Sequence, residues 1–144
     1  MFRKLMILSL TLLLAVTVTA CKRNRPEGCP KLYPCTLKVI QGGEPLEGAI
    51  VTVFPDDPEI AKWPINGLTN ADGQVTLMTQ TFPGVPLGSY TATVSKMENE
   101  MTLPPRSIER VAAQFANREE SPLKIEVIKN MVEPIQLDVT DTNE

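Results

Sequence analysis

TLKVIQGGEPLEGAIVTVFP, residues 36–55, is the stretch whose reading decides the fold. Successive side chains of a strand point to opposite faces, and Leu37 and Val39 fall on one face of TLKVI, the pattern of a half-buried strand. GGEPLEG follows. Its glycines accept positive φ and Pro45 fixes its own φ, so the chain turns there. AIVTVFP then reads as a more fully buried strand that ends at Pro55. Two strands about a turn predict a β-hairpin.

The rhythm continues along the chain. DDPEIAKWPIN is irregular and acidic at its start, and Gly67-Leu68-Thr69 leads into NADG, where Asn70, Asp72 and Gly73 supply turn chemistry. QVTLMTQ places Val75, Leu77 and Thr79 on one face, and GSYTATVSK does the same with Tyr90, Ala92 and Val94, so each strand is expected to have one face in a core and one in water. Residues 97–121 break the alternation. Ile108, Val111, Ala112 and Phe115 recur there at helical spacing, which predicts a long crossover loop with a turn or two of helix. PLKIEVI and PIQLDVT return to period two, with Leu123, Ile125 and Val127, then Ile135, Leu137 and Val139, directed inward. Seven short strands in about 105 residues, with 13 prolines and 8 glycines in the chain, predict an all-β protein: a single seven-stranded Greek-key β-sandwich.

Three motifs occur in a fixed order: PLEGAIVTVFP at 45–55, TNADGQVTL at 69–77 and GSYTATVSK at 88–96. Together they resemble the carboxypeptidase regulatory-like domains of the prealbumin-like (transthyretin-like) β-sandwich group, and SPLKIEVIKN is similar to the closing segment of small lipoproteins of this type. The resemblance covers roughly residues 36–140. It implies the fold and an accessory, non-catalytic role, since the motifs are structural. Enzymes of the same group, hydroxyisourate hydrolases and intradiol dioxygenases, depend on histidines, with tyrosines as iron ligands in the latter. This chain contains no His, and its two tyrosines are Tyr33 and Tyr90.

The start of the chain carries an address. Arg3 and Lys4 precede an apolar run from Leu5 to Val16, and Val18-Thr19-Ala20-Cys21 closes it. Charge, a short apolar middle and small residues in that order make a signal peptide over residues 1–20, preceding the sandwich, and the run is short of the ~20 residues of a spanning helix. The small residues before Cys21 resemble the lipobox of bacterial lipoproteins. By that resemblance Cys21 takes a diacylglycerol, often with palmitate on its new amino group, and anchors the exported protein to a membrane. With Lys22 and not Asp next, the outer membrane is the favoured destination, and the protein is placed in the periplasm or on the outer face of the cell envelope.

Removing residues 1–20 lowers Lys plus Arg from 14 to 12 against 17 Asp plus Glu, a net charge of −5 on the remaining 124 residues. A mildly acidic chain of this length suits one domain and offers no footprint for nucleic acid. The basic residues Lys22, Arg23 and Arg25 sit beside the lipid, where anionic headgroups are their simplest partners. Residues 21–35 are expected to form a lipidated tether that includes a Cys29–Cys35 loop, and residues 36–141 the sandwich. Lipidation of Cys21 leaves Cys29 and Cys35 as an even pair in an oxidising compartment, hence a disulfide candidate around the short CPKLYPC ring.

No catalytic constellation stands out. Ser95 and Lys96 are adjacent in a strand and point to opposite faces. Asp56, Asp57, Glu59, Asn70 and Asp72 are hard oxygen donors that could hold Ca²⁺ if two loops met, although NADG is equally the turn such folds use without metal. No cofactor is expected. Trp63, the only Trp, is either a lid over one end of the sandwich or a rigid stacking surface for a ligand. The sequence therefore predicts a lipid-anchored envelope protein with a non-catalytic interaction or structural module, contacting an envelope protein. The alternative is an envelope carbohydrate-binding module.

Overall fold

The computed structural model describes residues 23–141, so the signal segment, Cys21 and Lys22 lie outside the described residues. The described chain is mostly β and contains fourteen short strands. They are β1 (Leu32–Tyr33), β2 (Thr36–Gln41), β3 (Glu44–Pro45), β4 (Ile50–Pro55), β5 (Ile65–Leu68), β6 (Gln74–Thr76), β7 (Met78–Thr79), β8 (Phe82–Pro83), β9 (Val85–Pro86), β10 (Gly88–Ser95), β11 (Met97–Glu100), β12 (Arg106–Glu109), β13 (Lys124–Val127) and β14 (Ile135–Asp138). None of the described helices is long and apolar enough to cross a membrane.

A six-stranded antiparallel sheet runs in the order β13-β10-β4-β5-β7-β8. In a second sheet β2 pairs with β14 in parallel and with both β3 and β6 antiparallel. Buried residues of both sheets meet in one cluster. Leu37, Val39, Val75 and Leu137 from the second sheet join Val51, Val53, Ile65, Tyr90, Ala92, Val94, Ile125 and Val127 from the first. The alternation read from the sequence accounts for these positions, because a half-buried strand must send every second side chain inward. Two small sheets complete the fold: β1 with β9, and the hairpin β11–β12.

The strand partners differ from expectation. β2 and β4 do not form a hairpin. β2 turns back only as far as β3, and β4 crosses to the other sheet, where β10 and β5 flank it on both sides. Period-two patterning assigns a face to each strand and leaves its partner open. β4 is also less buried than its composition suggests: Val51 and Val53 are buried, whereas Ile50 is 53% exposed.

The segment 97–121 holds the expected turn of helix, but much of the expected loop is a β-hairpin, β11–β12. Ile108 lies in β12, opposite Glu98 of β11, and the helix is a single turn, Ala113–Ala116, packed against β10. The far side of β10 is correspondingly dry. Thr91 and Thr93, expected in water, are 5% and 8% exposed.

Candidate functional site

The side chains around Trp63 line a cleft that combines aromatic and cationic groups. It holds about 330 Å³ between the outer side of β4 and the loop before β5. Its lining includes Thr52, Val53, Phe54, Trp63, Ile65 and Arg118.

Local sequence places each of these groups. Asp57 accepts the Glu59 N–H at its Oδ1 (2.9 Å), which starts a 3-10 turn, Ile60–Lys62, whose Ile60 is buried. Trp63 N–H donates to Ile60 O at 3.2 Å and closes that turn. Trp63 itself is extended (φ −113°, ψ 117°), the conformation a following proline favours, and Ile65 then enters β5. The indole is half-buried and runs past Gly28, where an added Cβ would lie 3.8 Å from Trp63 Cζ2. Neither expectation for Trp63 describes this fully. One edge rests on the N-terminal loop, as a lid would, while the residue also lines an open cleft.

Arg118 comes from the opposite side. Asn117 Oδ1 accepts Glu119 N–H at 3.0 Å and Asn117 O accepts Ser121 N–H at 2.9 Å, so residues 117–121 make a tight turn. Ser121 Oγ fastens that turn to β10 by donating to Ala92 O at 2.6 Å. The Arg118 guanidinium carbon stands 4.9 Å from the centroid of the Phe54 ring, a cation–π arrangement. Arg118 makes no ion pair among the described residues.

Cys29 and Cys35 are both buried, and both carry free thiols in this structure, so the candidate bridge is not formed in it. Residues 26–35 are packed into the domain: Pro26 is buried and Leu32–Tyr33 pairs with β9. Burial pushes the Cys35 thiol up to about 11. Burial also raises Cys29, with Arg25 pulling the other way. A protonated thiol is a poor nucleophile, which argues against thiolate chemistry near neutral pH. Tyr90 donates its hydroxyl to Pro86 O at 2.7 Å, and its pKa is raised by burial first, then by Cys29, Cys35 and Asp57.

The acidic residues do not converge. No group of three or more His, Cys, Asp or Glu able to hold a metal ion occurs among the described residues, so Asp56, Asp57 and Asp72 are not gathered into a ligand set. Their loops are occupied by local bonds. Asn70 Oδ1 accepts the N–H groups of Asp72 and Gln74, each at 3.0 Å, and Glu59 pairs with Lys62 at 2.7 Å.

Sequence reasoning found Trp63 and missed Phe54 and Arg118. Phe54 carries only the signal of an aromatic on the outward side of a strand, and Arg118 lies 64 positions further on, past the helical spacing that ends at Phe115. Compared with known proteins, the chain matches no family model, no curated protein and no solved structure.

Proposed function

We propose that this is a lipid-anchored cell-envelope protein whose domain is a non-catalytic interaction module, a β-sandwich of the Greek-key, carboxypeptidase regulatory-like kind. The observation that carries the reading is the ordered series of Arg3 and Lys4, the apolar run to Val16, and Val18-Thr19-Ala20 directly before Cys21. Two acyl chains hold a protein at a bilayer stably where one holds it marginally. Only Lys22 to Arg25 separate Cys21 from the buried Pro26, and so few residues reach at most ~18 Å even when extended. The domain therefore sits against the membrane, with Arg23, Arg25 and Lys31 at its anchored end. Asn24, Arg25, Lys31 and Leu32 line one depression there.

The non-catalytic part of the reading is supported by the lack of any His in the chain to serve as a general base. Growth of the producing cells with a clickable fatty acid tests the anchor. The full-length protein takes up label and Cys21→Ala does not; label retained by Cys21→Ala overturns the reading.

A second reading, binding of envelope carbohydrate, is favoured by one observation: Trp63 lines an open cleft and is not fully covered.

A further inference from the structure

We infer that the Phe54–Trp63–Arg118 cleft binds a saccharide ring that bears a carboxylate. The inference rests on the carbohydrate reading and adds the charge class of the ligand.

The volume, about 330 Å³, lies at the lower end of small-molecule sites and suits a single ring with its substituents. The lining is chiefly apolar. Two aromatic residues, Trp63 and Phe54, stand with Pro55, Ala61 and Pro64 around it. A pyranose presents an apolar C–H face that stacks on such surfaces, and an aromatic ring offers a rigid area at low entropic cost. Stacking alone admits any flat-faced ring.

Arg118 supplies the discrimination. Among the described residues it is the only ionisable side chain lining the cleft. Guanidinium carries five donors in a planar fork that matches a carboxylate in bidentate fashion. The guanidinium stands 4.9 Å from the Phe54 ring centroid, on a turn that Ser121 bonds to β10. No carboxylate of the described chain occupies the fork. Asp56, Asp57 and Glu59 lie outside the lining. A neutral sugar leaves the guanidinium unmatched, and an amino sugar sets like charges together.

An aromatic carboxylate shares the ring and the anion, so the test separates the two sources. Trp63 is the only tryptophan, and its fluorescence therefore reports on this cleft alone. Full-length protein in detergent is titrated with glucuronate, glucose, glucosamine and phenylacetate, and Arg118→Gln is titrated in parallel after its melting curve is shown to match the parent. The expected result is a saturable change with glucuronate, a response to glucose and glucosamine at least tenfold weaker, and a comparable loss in Arg118→Gln. Calorimetric titration of Phe54→Leu, in which the Trp reporter is intact, is expected to show weaker glucuronate binding as well. A response to phenylacetate without one to glucuronate overturns the saccharide assignment and with it the carbohydrate reading. Equal binding of glucose and glucuronate leaves that reading standing and overturns the inference about charge. No saturable change with any of the four overturns both.

Discussion

Gly67 of β5 faces Val75 of β6, and a Cβ placed on Gly67 would lie 2.3 Å from Val75 Cγ2 and 3.1 Å from Thr76 O. β5 belongs to the six-stranded sheet and β6 pairs with β2 in the other, so this contact is a corner where the two sheets approach more closely than side chains allow. Gly67→Ala is expected to destabilise the domain by about 1–3 kcal/mol, the usual cost of overpacking, and Val75→Ala in the same chain is expected to recover part of it. Denaturant midpoints of the three variants check this.

Thr69 joins two turns. Its hydroxyl donates to Leu46 O at 2.6 Å and accepts from Ala49 N–H at 2.8 Å, with the residue 3% exposed. Thr69→Val keeps the shape and leaves both backbone groups buried without a partner, at a cost of about 1–3 kcal/mol. Thr69→Ser is expected to retain most of the stability. Thermal melts of the pair distinguish hydrogen bonding from packing.

Alkaline pH is expected to weaken the reduced protein. The Cys35 thiol has a folded pKa of about 11 against an ordinary 9.0, raised by burial. The unfolded chain therefore loses this proton first. The associated stability is complete below pH 9 and is lost as pH rises from 9 to 11, amounting to about 2–3 kcal/mol. Tyr90, also raised, acts in the same direction at higher pH. Urea unfolding of reduced protein between pH 8 and 11 should show the decline, and Cys35→Ala should flatten its lower part.

The β11–β12 hairpin is held at its base by charges. Glu98 accepts from Arg110 Nε at 2.7 Å and pairs with Lys96 at 3.2 Å, while Arg110 also reaches Glu100 at 3.4 Å. Hydrogen bonds from Arg110 and then Lys96 hold the Glu98 carboxyl below its usual range. Pairing is thus present above the ordinary carboxylate pKa and is lost as pH falls through the lowered one. Protection of the amides in residues 97–109, measured as exchange relative to the intrinsic rate at each pH, is expected to fall on acidification and in Arg110→Ala, with protection in β10 and β4 unchanged.

Much of the core was legible because alternation is a local property. Leu37, Val39, Val75, Leu77, Val94, Ile125, Val127 and Val139, all expected inward, are buried. The pairing of those strands was not legible. Nothing within TLKVI or AIVTVFP says that the first lies beside β14 and the second beside β10. The hairpin at 97–109 escaped for a different reason. It has no core face, so its side chains carry charges and exposed Met97, Met101 and Leu103 in place of an apolar stripe. The candidate cleft was half legible: Trp63 announces itself as a lone large aromatic, whereas the Arg118–Phe54 contact joins residues far apart in the chain and depends on a turn that only packing reveals.

The anchor at Cys21 is the central claim, and the mass of the N-terminal peptide of detergent-extracted protein tests it most directly. The mature chain is expected to begin at Cys21 and to carry the added mass of a diacylglycerol, with or without a further acyl group. An unmodified Cys21, or a mature chain that still begins upstream of it, would contradict the account.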